Sequence, residues 1–557
     1  MSLTEHKIDT IAGHVESVAG FIGGLLSAGR LGSDSHTSQV FNTDALQPET
    51  LVGVVTCAEV DVYESRGLAR QAMLSLQFIR QLPQNSQSHG RGGSFEAALT
   101  KIEQLINGRT QYFIDQRSSP NGKRPEFDTA TKISSDRLIN LALPPREAAL
   151  QTLADVLDST VPTLFTMICS LAGVEDAATV CSSLYSRPDT VSKFAFITIH
   201  VLFYFVFTEA HSNSCQGGEG GEEYVPYIDT CQVNIEAGIA ALPFFVPATT
   251  ENMQALLLGA LYGITASKLR LAQYLATKAA QVCHPWAYHP PSVVAPEQTS
   301  AIHQLLYWSI YTVEKWLCLK LGPASGMHEY NITLEPHFQF DGFGAPAPLA
   351  LSASWIHLAM LEGRIYTKLF SPEACRCPSP EMLRRAESLA SLCQDLRLGW
   401  TVGRGDSYGD IRNAETSHQV HNFVKGDEMH LFIALTLVSQ FSAPSADFGG
   451  QFSHTSLEEA RRALSIHVEC SPLMRLGRYS ATAYVNWNLL LLPFAPFFVL
   501  ACHACASKSC YDLQNLYAFI ESLQTADISS DDLTFFIELC WSFYNAALAS
   551  IAESESS

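Results

Sequence analysis

Along most of this chain apolar residues recur three and four positions apart, and strict alternation is scarce. Met253, Leu256, Leu257, Ala260, Leu261 and Ile264 trace one such stripe. Leu271, Leu275 and Ala279 trace a second after a turn near Ala266-Ser267. Leu306, Ile310, Val313 and Leu317 trace a third, and Leu150, Leu153 and Leu157 a fourth behind Pro144-Pro145. Residues at this spacing share one face of a helix, whereas a half-buried strand hides every second residue. No strand–helix–strand rhythm appears, and no repeat period is strict enough for a solenoid. The expected fold is therefore all-α: a large single helical domain of packed antiparallel helices, with flexible inserts.

Composition decides whether those faces can close into a core. Apolar residues make up 47% of the 557 and charged residues only 16%, which is globular and far from disordered. The formal charge of −20, from 35 basic and 55 acidic side chains, repels phosphate backbones. Direct binding of DNA or of an anionic membrane is not expected. The most basic short stretch, Gly122-Lys123-Arg124 beside Arg117, is too thin for a DNA footprint or an import signal. The first residues, Met1-Ser2-Leu3-Thr4-Glu5-His6-Lys7, place charges where a signal peptide needs an apolar run. The 15 cysteines have no framework spacing and read as reduced thiols. Phe194–Phe207 and Leu489–Cys502 are strongly apolar but span only 14 residues each. A membrane helix needs roughly 20, so both read as buried segments and no membrane association is expected.

Four stretches organise the chain. Residues 1–30 carry a heptad-like stripe, Ile8, Ile11, Val15, Val18, Ile22 and Leu25, behind a capping-box spacing of Ser2 and Glu5. It would pair two copies or pack onto the chain's own body; glycines 13, 20, 23 and 24 weaken the helix. Residues 31–129 read as partly helical with flexible linkers. Helical pattern covers Val60–Leu82 and Phe95–Gln111, separated by a linker at 84–94 and followed by a break at 118–124. Residues 130–530 form the main helical region, interrupted by a Gly/Glu-rich insert at 212–223, and 531–557 are a C-terminal helix and tail.

Three motifs in the main region occur in a recognisable order. Leu143-Pro144-Pro145-Arg146-Glu147 opens a helix and is followed by the aromatic-rich Phe194–Phe207. Gln254-Ala255-Leu256-Leu257-Leu258-Gly259-Ala260-Leu261-Tyr262 begins a leucine-rich helix paired with an alanine-rich one reaching Ala280. Tyr307-Trp308-Ser309-Ile310-Tyr311-Thr312-Val313-Glu314-Lys315 leads to Leu321-Gly322-Pro323 and an extended piece, Tyr330–Leu334. Near the end stands Tyr484-Val485-Asn486-Trp487. Together, over roughly residues 130–530, they resemble the fungal-specific transcription factor domain, the large helical region that follows the zinc cluster in many fungal regulators.

That resemblance implies structural roles for Trp308, Ser309, Tyr311, Glu314, Lys315, Gly322 and Pro323. It also implies a nuclear regulator of a metabolic or secondary-metabolite gene cluster. Such a protein would act as a homodimer or with a DNA-binding partner, or by sensing a small-molecule effector in a core with aromatics such as Trp308, Tyr311 and Phe203. The chain departs from the family in three places. The six-cysteine zinc run does not occur in it, its first cysteine being a solitary Cys57. Cys283-His284-Pro285-Trp286 replaces the usual end of the second paired helix, and Pro323 follows Gly322 without the intervening arginine.

No other motif establishes a cofactor, metal or catalytic site. Cys502-His503-Ala504-Cys505 with Cys510 has a zinc-clip spacing but no second pair, and reads as core thiols. Cys283, His284 and His289 lack a fourth ligand, and Cys375-Arg376-Cys377 is too tight for a clip. Gly405-Asp406-Ser407-Tyr408-Gly409 matches a nucleophile elbow, with His418, His421 and His430 as conceivable bases. An elbow needs a strand before it, here drawn through Leu398–Val402, and the region lacks the pattern of a parallel sheet. Glu209 and Glu314 read as a buried acid pair or, more simply, as anchors of a structural network. The alternative to a regulator is an enzyme or small-molecule-binding protein of a biosynthetic pathway on the same scaffold. A roomy pocket with convergent acids and histidines would favour ligand chemistry, and a filled core with an exposed N-terminal stripe would favour the regulator.

Overall fold

The structure, a computed structural model, describes residues 66–82, 93–118, 141–159, 163–216, 220–288, 297–336, 347–403, 418–441, 452–475, 478–491, 493–524 and 530–555. Eighteen α-helices build this part, and among the described residues there is no strand. The all-α expectation is met. The stripe from Ile8 to Leu25 and the Gly405–Gly409 motif lie outside the described residues.

The order begins with α1 (Arg66–Gln81) and α2 (Gly93–Ser118). Next come α3 (Arg146–Leu157), α4 (Leu164–Leu171), α5 (Ala177–Ser186), α6 (Lys193–Gln216) and α7 (Val225–Ala240). Then follow α8 (Thr250–Thr265), α9 (Leu269–Tyr288), α10 (Glu297–Leu321) and α11 (Ala347–Ile365). The last part holds α12 (Ser379–Gly403), α13 (His418–Ser439), α14 (His454–Cys470) and α15 (Arg478–Tyr484). It ends in α16 (Ala495–Ser507), α17 (Cys510–Gln524) and α18 (Asp531–Glu555).

Helix ends are set by local chemistry. Thr163 and Thr166 cap α4 reciprocally, each hydroxyl accepting the other's backbone N–H at 3.2 and 2.9 Å. Asp176 caps α5 through the Thr179 N–H at 2.8 Å, and Thr249 caps α8 through Asn252. At the far end of α10, Gly322 takes a φ of +86° and returns its N–H to the Cys318 carbonyl at 2.8 Å. Only glycine enters that left-handed region without strain, and Pro323 then prevents continuation. The expected stop stands where the sequence placed it.

Successive helices pack on one another, α6 on α7, α8 on α9, α10 on α11 and α13 on α14. They enclose two apolar cores. The first draws on α3 to α9, α10 and the start of α11, joined by Trp487 and Leu491. The second draws on α1, α2 and α12 to α18. Helices α10 and α11 serve both. Leu317 faces the first core and Leu319 the second; Ile356 and Ala359 face the first, Leu358 and Leu361 the second. Two described helices, α6 and α18, are long and apolar enough to cross a bilayer. The apolar stretch of α6 is 94% buried in the protein and that of α18 50%. Each phenylalanine hidden in α6 contributes about 1.5–3 kcal/mol.

Three local expectations are corrected. Helix α6 runs to Gln216, past the start of the expected insert, because Ser212 returns its hydroxyl to the Thr208 carbonyl at 2.9 Å and accepts from Ser480. Tyr330–Leu334 makes no strand. A tight turn at Glu329–Asn331 precedes Thr333, whose N–H and hydroxyl both donate to the Ala287 carbonyl, and no second strand lies alongside. Leu398–Val402 belongs to α12, so the elbow motif has no strand before it.

Candidate functional site

Where the first core meets α13, six segments leave a cavity of about 740 Å³ of atom-free space, part of it open to solvent. Leu164, Met167, Ile168 and Leu171 of α4 and Leu257 and Leu261 of α8 form an apolar wall. The indoles of Trp308, Trp316, Trp355 and Trp487 also line it, so four of the chain's seven tryptophans gather here. The polar groups are Ser309, Thr312, Asp427, His430 and Asn488. A mostly apolar lining with a few placed polar groups is the pattern of small-ligand pockets.

The geometry follows from helix register. Trp308, Thr312 and Trp316 stand four apart on α10 and so share one stripe. Trp316 sits at the centre, edge-on to Trp355 at 6.3 Å, to Trp487 at 6.2 Å and to His430 at 6.4 Å between ring centroids. The Trp355 indole N–H donates to Asp427 Oδ1 at 2.7 Å, tying α11 to α13. Trp487 and Asn488 come from a π-helical turn, Val485–Leu489, where the ladder widens by one residue. Asn486 fastens that turn to the α8–α9 corner, donating to the Thr265 carbonyl at 3.0 Å and to Ser267 Oγ at 2.7 Å, and the Trp487 N–H donates to Thr265 Oγ1 at 3.1 Å. The Asn488 carboxamide lies where a Cβ on residue 426 would be, so Gly426 is what lets α13 approach.

Electrostatics distinguish this cavity from ordinary core. Burial lowers the pKa of His430 to about 4, against a hydrogen bond in which Nε2 donates to the Trp487 carbonyl at 3.1 Å, so the ring is neutral. Glu362, two turns after Trp355 on α11, is fully buried and neither carboxyl oxygen has a hydrogen-bond partner. Burial pushes its pKa well up. The Trp316 N–H lies near enough to oppose this without reaching either oxygen in hydrogen-bond geometry, and the Asp427 charge adds to the rise. Trp316 Nε1 and Thr312 Oγ1 are likewise buried without partners. Among the described residues, no lysine or arginine lines the space.

Comparison of the chain with protein-family models, with curated proteins and with solved structures finds no match.

Of the seven residues to which the resemblance gives structural roles, Trp308 and Ser309 reach the cavity, and Leu257, Leu261, Thr312, Val313 and Trp487 from the same motifs reach it too. The Trp308 N–H donates to the Glu335 carbonyl at 2.9 Å, and the Ser309 hydroxyl to the Leu171 carbonyl at 3.0 Å. Tyr311 is fully buried and edge-on to Trp308 at 5.2 Å, with the Lys315 ammonium over its ring at 5.0 Å. Glu314 accepts from Ser325 Oγ and the Gly326 N–H, each at 2.7 Å, while Lys315 donates to Ser325 and the Met327 carbonyl. This pair clamps the loop after Gly322 and Pro323 against α10, and none of those five residues lines the cavity. Phe203 stacks on Phe207 within the first core. Glu209 is held by the backbone N–H groups of Phe165 and Leu164 at the start of α4, not by Glu314, and burial raises it to about 7.

The cysteine motifs do not converge. Cys502 and Cys505 are buried, and burial pushes the Cys505 thiol up to about 12. His503 pairs instead with Asp512, Nδ1 to Oδ2 at 2.7 Å, and Cys510 is exposed. Cys283 is buried with its thiol on the Ala280 carbonyl, and His289 lies outside the described residues. Cys375 lies within a short turn at Ala374–Arg376, and Cys377 follows it. Among the described residues, no three His, Cys, Asp or Glu side chains gather to hold a metal. Trp316, Trp355, Asp427 and Asn488 belong to no sequence motif. Glu362 beside them carries one signal, a carboxylate on an otherwise apolar helix face among Leu358, Leu361 and Ile365.

Proposed function

We propose that this protein is a ligand-responsive transcriptional regulator, similar in its helical region to fungal zinc-cluster factors. In this reading a small molecule occupies the tryptophan-walled cavity and sets the state of the helical body. DNA is read by a partner, homo- or heterodimeric, because the acidic surface suits no phosphate backbone. The resemblance places it in the nucleus, at a metabolic or secondary-metabolite gene cluster.

The observation that carries the reading is the cavity's position against helices α10 and α11, which serve both cores. A ligand there touches the elements that couple the two halves, and it shifts any equilibrium between arrangements it binds unequally. The test is to fuse the chain to a heterologous DNA-binding module and measure a reporter with and without metabolite extract. Extract-dependent change that disappears on filling the cavity with Leu261→Trp supports the reading. A reporter indifferent to extract and to that substitution sinks it.

A second reading, an enzyme of a biosynthetic pathway, is favoured by one observation. Asp427, His430 and Glu362 stand together, two of them with displaced pKa values. Against it, Ser309 and His430 spend their donor groups on backbone carbonyls, which holds structure more than it prepares chemistry. Turnover of a metabolite pool by the purified chain, abolished by Asp427→Asn, would decide for it.

A further inference from the structure

We infer that the ligand of the tryptophan-walled cavity is a small neutral molecule, chiefly hydrocarbon, whose carbonyl oxygen accepts a hydrogen bond from Thr312 Oγ1; this deepens the ligand-binding reading and rests on it. The assignment comes from the polar side chains of the lining and the partners they already have. Ser309 donates to the Leu171 carbonyl at 3.0 Å, and His430 Nε2 to the Trp487 carbonyl at 3.1 Å. Asn488 Nδ2 donates to the Tyr484 carbonyl at 3.1 Å, and Asp427 is engaged by the Trp355 N–H at 2.7 Å. Thr312 differs. It is 5% exposed, and its hydroxyl oxygen is buried without a partner.

A threonine inside a helix ordinarily returns its hydroxyl to the carbonyl one turn back. Thr152 does so to Ala148 at 2.8 Å, Thr265 to Leu261 at 2.9 Å and Thr436 to Phe432 at 2.7 Å. Thr312 makes no such bond to Trp308, so its donor is left unmet at the cavity wall. A buried donor without an acceptor is costly, and a ligand that brings one in removes that cost. The Trp316 N–H, also unfilled, lies near Glu362, which is outside the lining, and has no part in this.

The rest of the wall sets the rest of the molecule. Among the described residues no lysine or arginine lines the space, so an anion would meet Asp427 without a counter-charge. Asp427 and His430 are engaged within the protein, so a cation would exchange water for leucine, isoleucine, methionine and indole. A neutral hydrocarbon frame suits Leu164, Met167, Ile168, Leu257 and Leu261. Hydrocarbon alone would leave Thr312 unmet.

The test titrates the full chain with cyclohexanone and with methylenecyclohexane, where a CH2 group replaces the ketone oxygen, followed by ligand-observed NMR. Thr312→Val keeps the side-chain shape and removes only a hydroxyl that bonds nothing, so this variant is expected to fold. It should weaken cyclohexanone by about threefold to tenfold, the worth of one hydrogen bond, and leave methylenecyclohexane unchanged or tighter. Thr312→Ser, which keeps the hydroxyl, should lose far less. Leu261→Trp, with a melting curve like the parent's, should abolish binding of both. Equal effects of Thr312→Val on the two ligands overturn the hydrogen bond and leave a ligand-binding cavity intact. Binding of neither, or binding that survives Leu261→Trp, also overturns the proposal, while the regulator reading stands or falls by its own reporter assay.

Discussion

The Trp355 indole N–H reaches Asp427 Oδ1 across 2.7 Å, joining α11 to α13 through two buried side chains. It aligns a cavity wall and gives a buried acceptor its donor. Trp355→Phe keeps one aromatic ring but deletes the donor with the pyrrole half of the indole, and should cost about 1–3 kcal/mol. Combined with Asp427→Ala, which removes the acceptor, in a double-mutant cycle by urea unfolding, the pair should show coupling of roughly 0.5–3 kcal/mol. Additive effects would mean that the bond contributes nothing.

Gly426 faces the Asn488 carboxamide so closely that any Cβ there displaces it. Gly426→Ala should destabilise the fold by about 1–3 kcal/mol, although alanine favours helix. Asn488→Gly in the same chain should recover most of that loss. Melting temperatures of the two variants check both statements, and failure of the rescue would place the clash elsewhere.

Glu362 is a fully buried carboxyl with no hydrogen-bond partner, a feature that stability alone would remove. Glu362→Met should raise stability by roughly 0.5–2 kcal/mol, read as a higher denaturant midpoint at unchanged slope. A lowered midpoint would show that the carboxyl holds the structure together.

Stability should respond to pH in two opposed ways. Burial raises Glu209 and Glu459 to about 7, from 4.5. Their contribution is complete below pH 4.5 and is lost as pH climbs through 7. Burial lowers His200 and His430 to about 4, from 6.5. Their contribution is complete above pH 6.5 and is lost as pH falls towards 4. Glu209→Gln removes one member of the first set. Relative to the parent, the variant should gain stability between pH 4.5 and 7 and hold that gain above, as unfolding at a series of pH values will show. A difference that is flat across this window would mean that Glu209 titrates alike in both states.

The sequence revealed the helices better than it revealed the space between them. The stripe from Leu306 to Leu317 and the Gly322-Pro323 stop are local, written by residues within a few turns of each other, and the structure keeps both. The extended reading of Tyr330–Leu334 failed because β-structure needs a neighbouring strand, and the nearby backbone is the end of α9 at Ala287. The cavity was not legible for a related reason. Its walls come from segments between Leu164 and Asn488, and periodicity marks which face of each is buried but not where packing leaves room. Trp308, Ser309, Thr312, Val313 and Trp487 are legible because they belong to motifs. Trp355 and Asp427 carry no motif, and only their meeting across two helices gives them meaning.

Helices α10 and α11 act as a party wall, each presenting one side to the first core and the other to the second. Dissection that separates the two cores should therefore fail on either side of α10 and α11. A fragment keeping the wall exposes its far side to water, and a fragment lacking it has an open core. The natural unit of expression, labelling and crystallisation is one that retains all eighteen described helices.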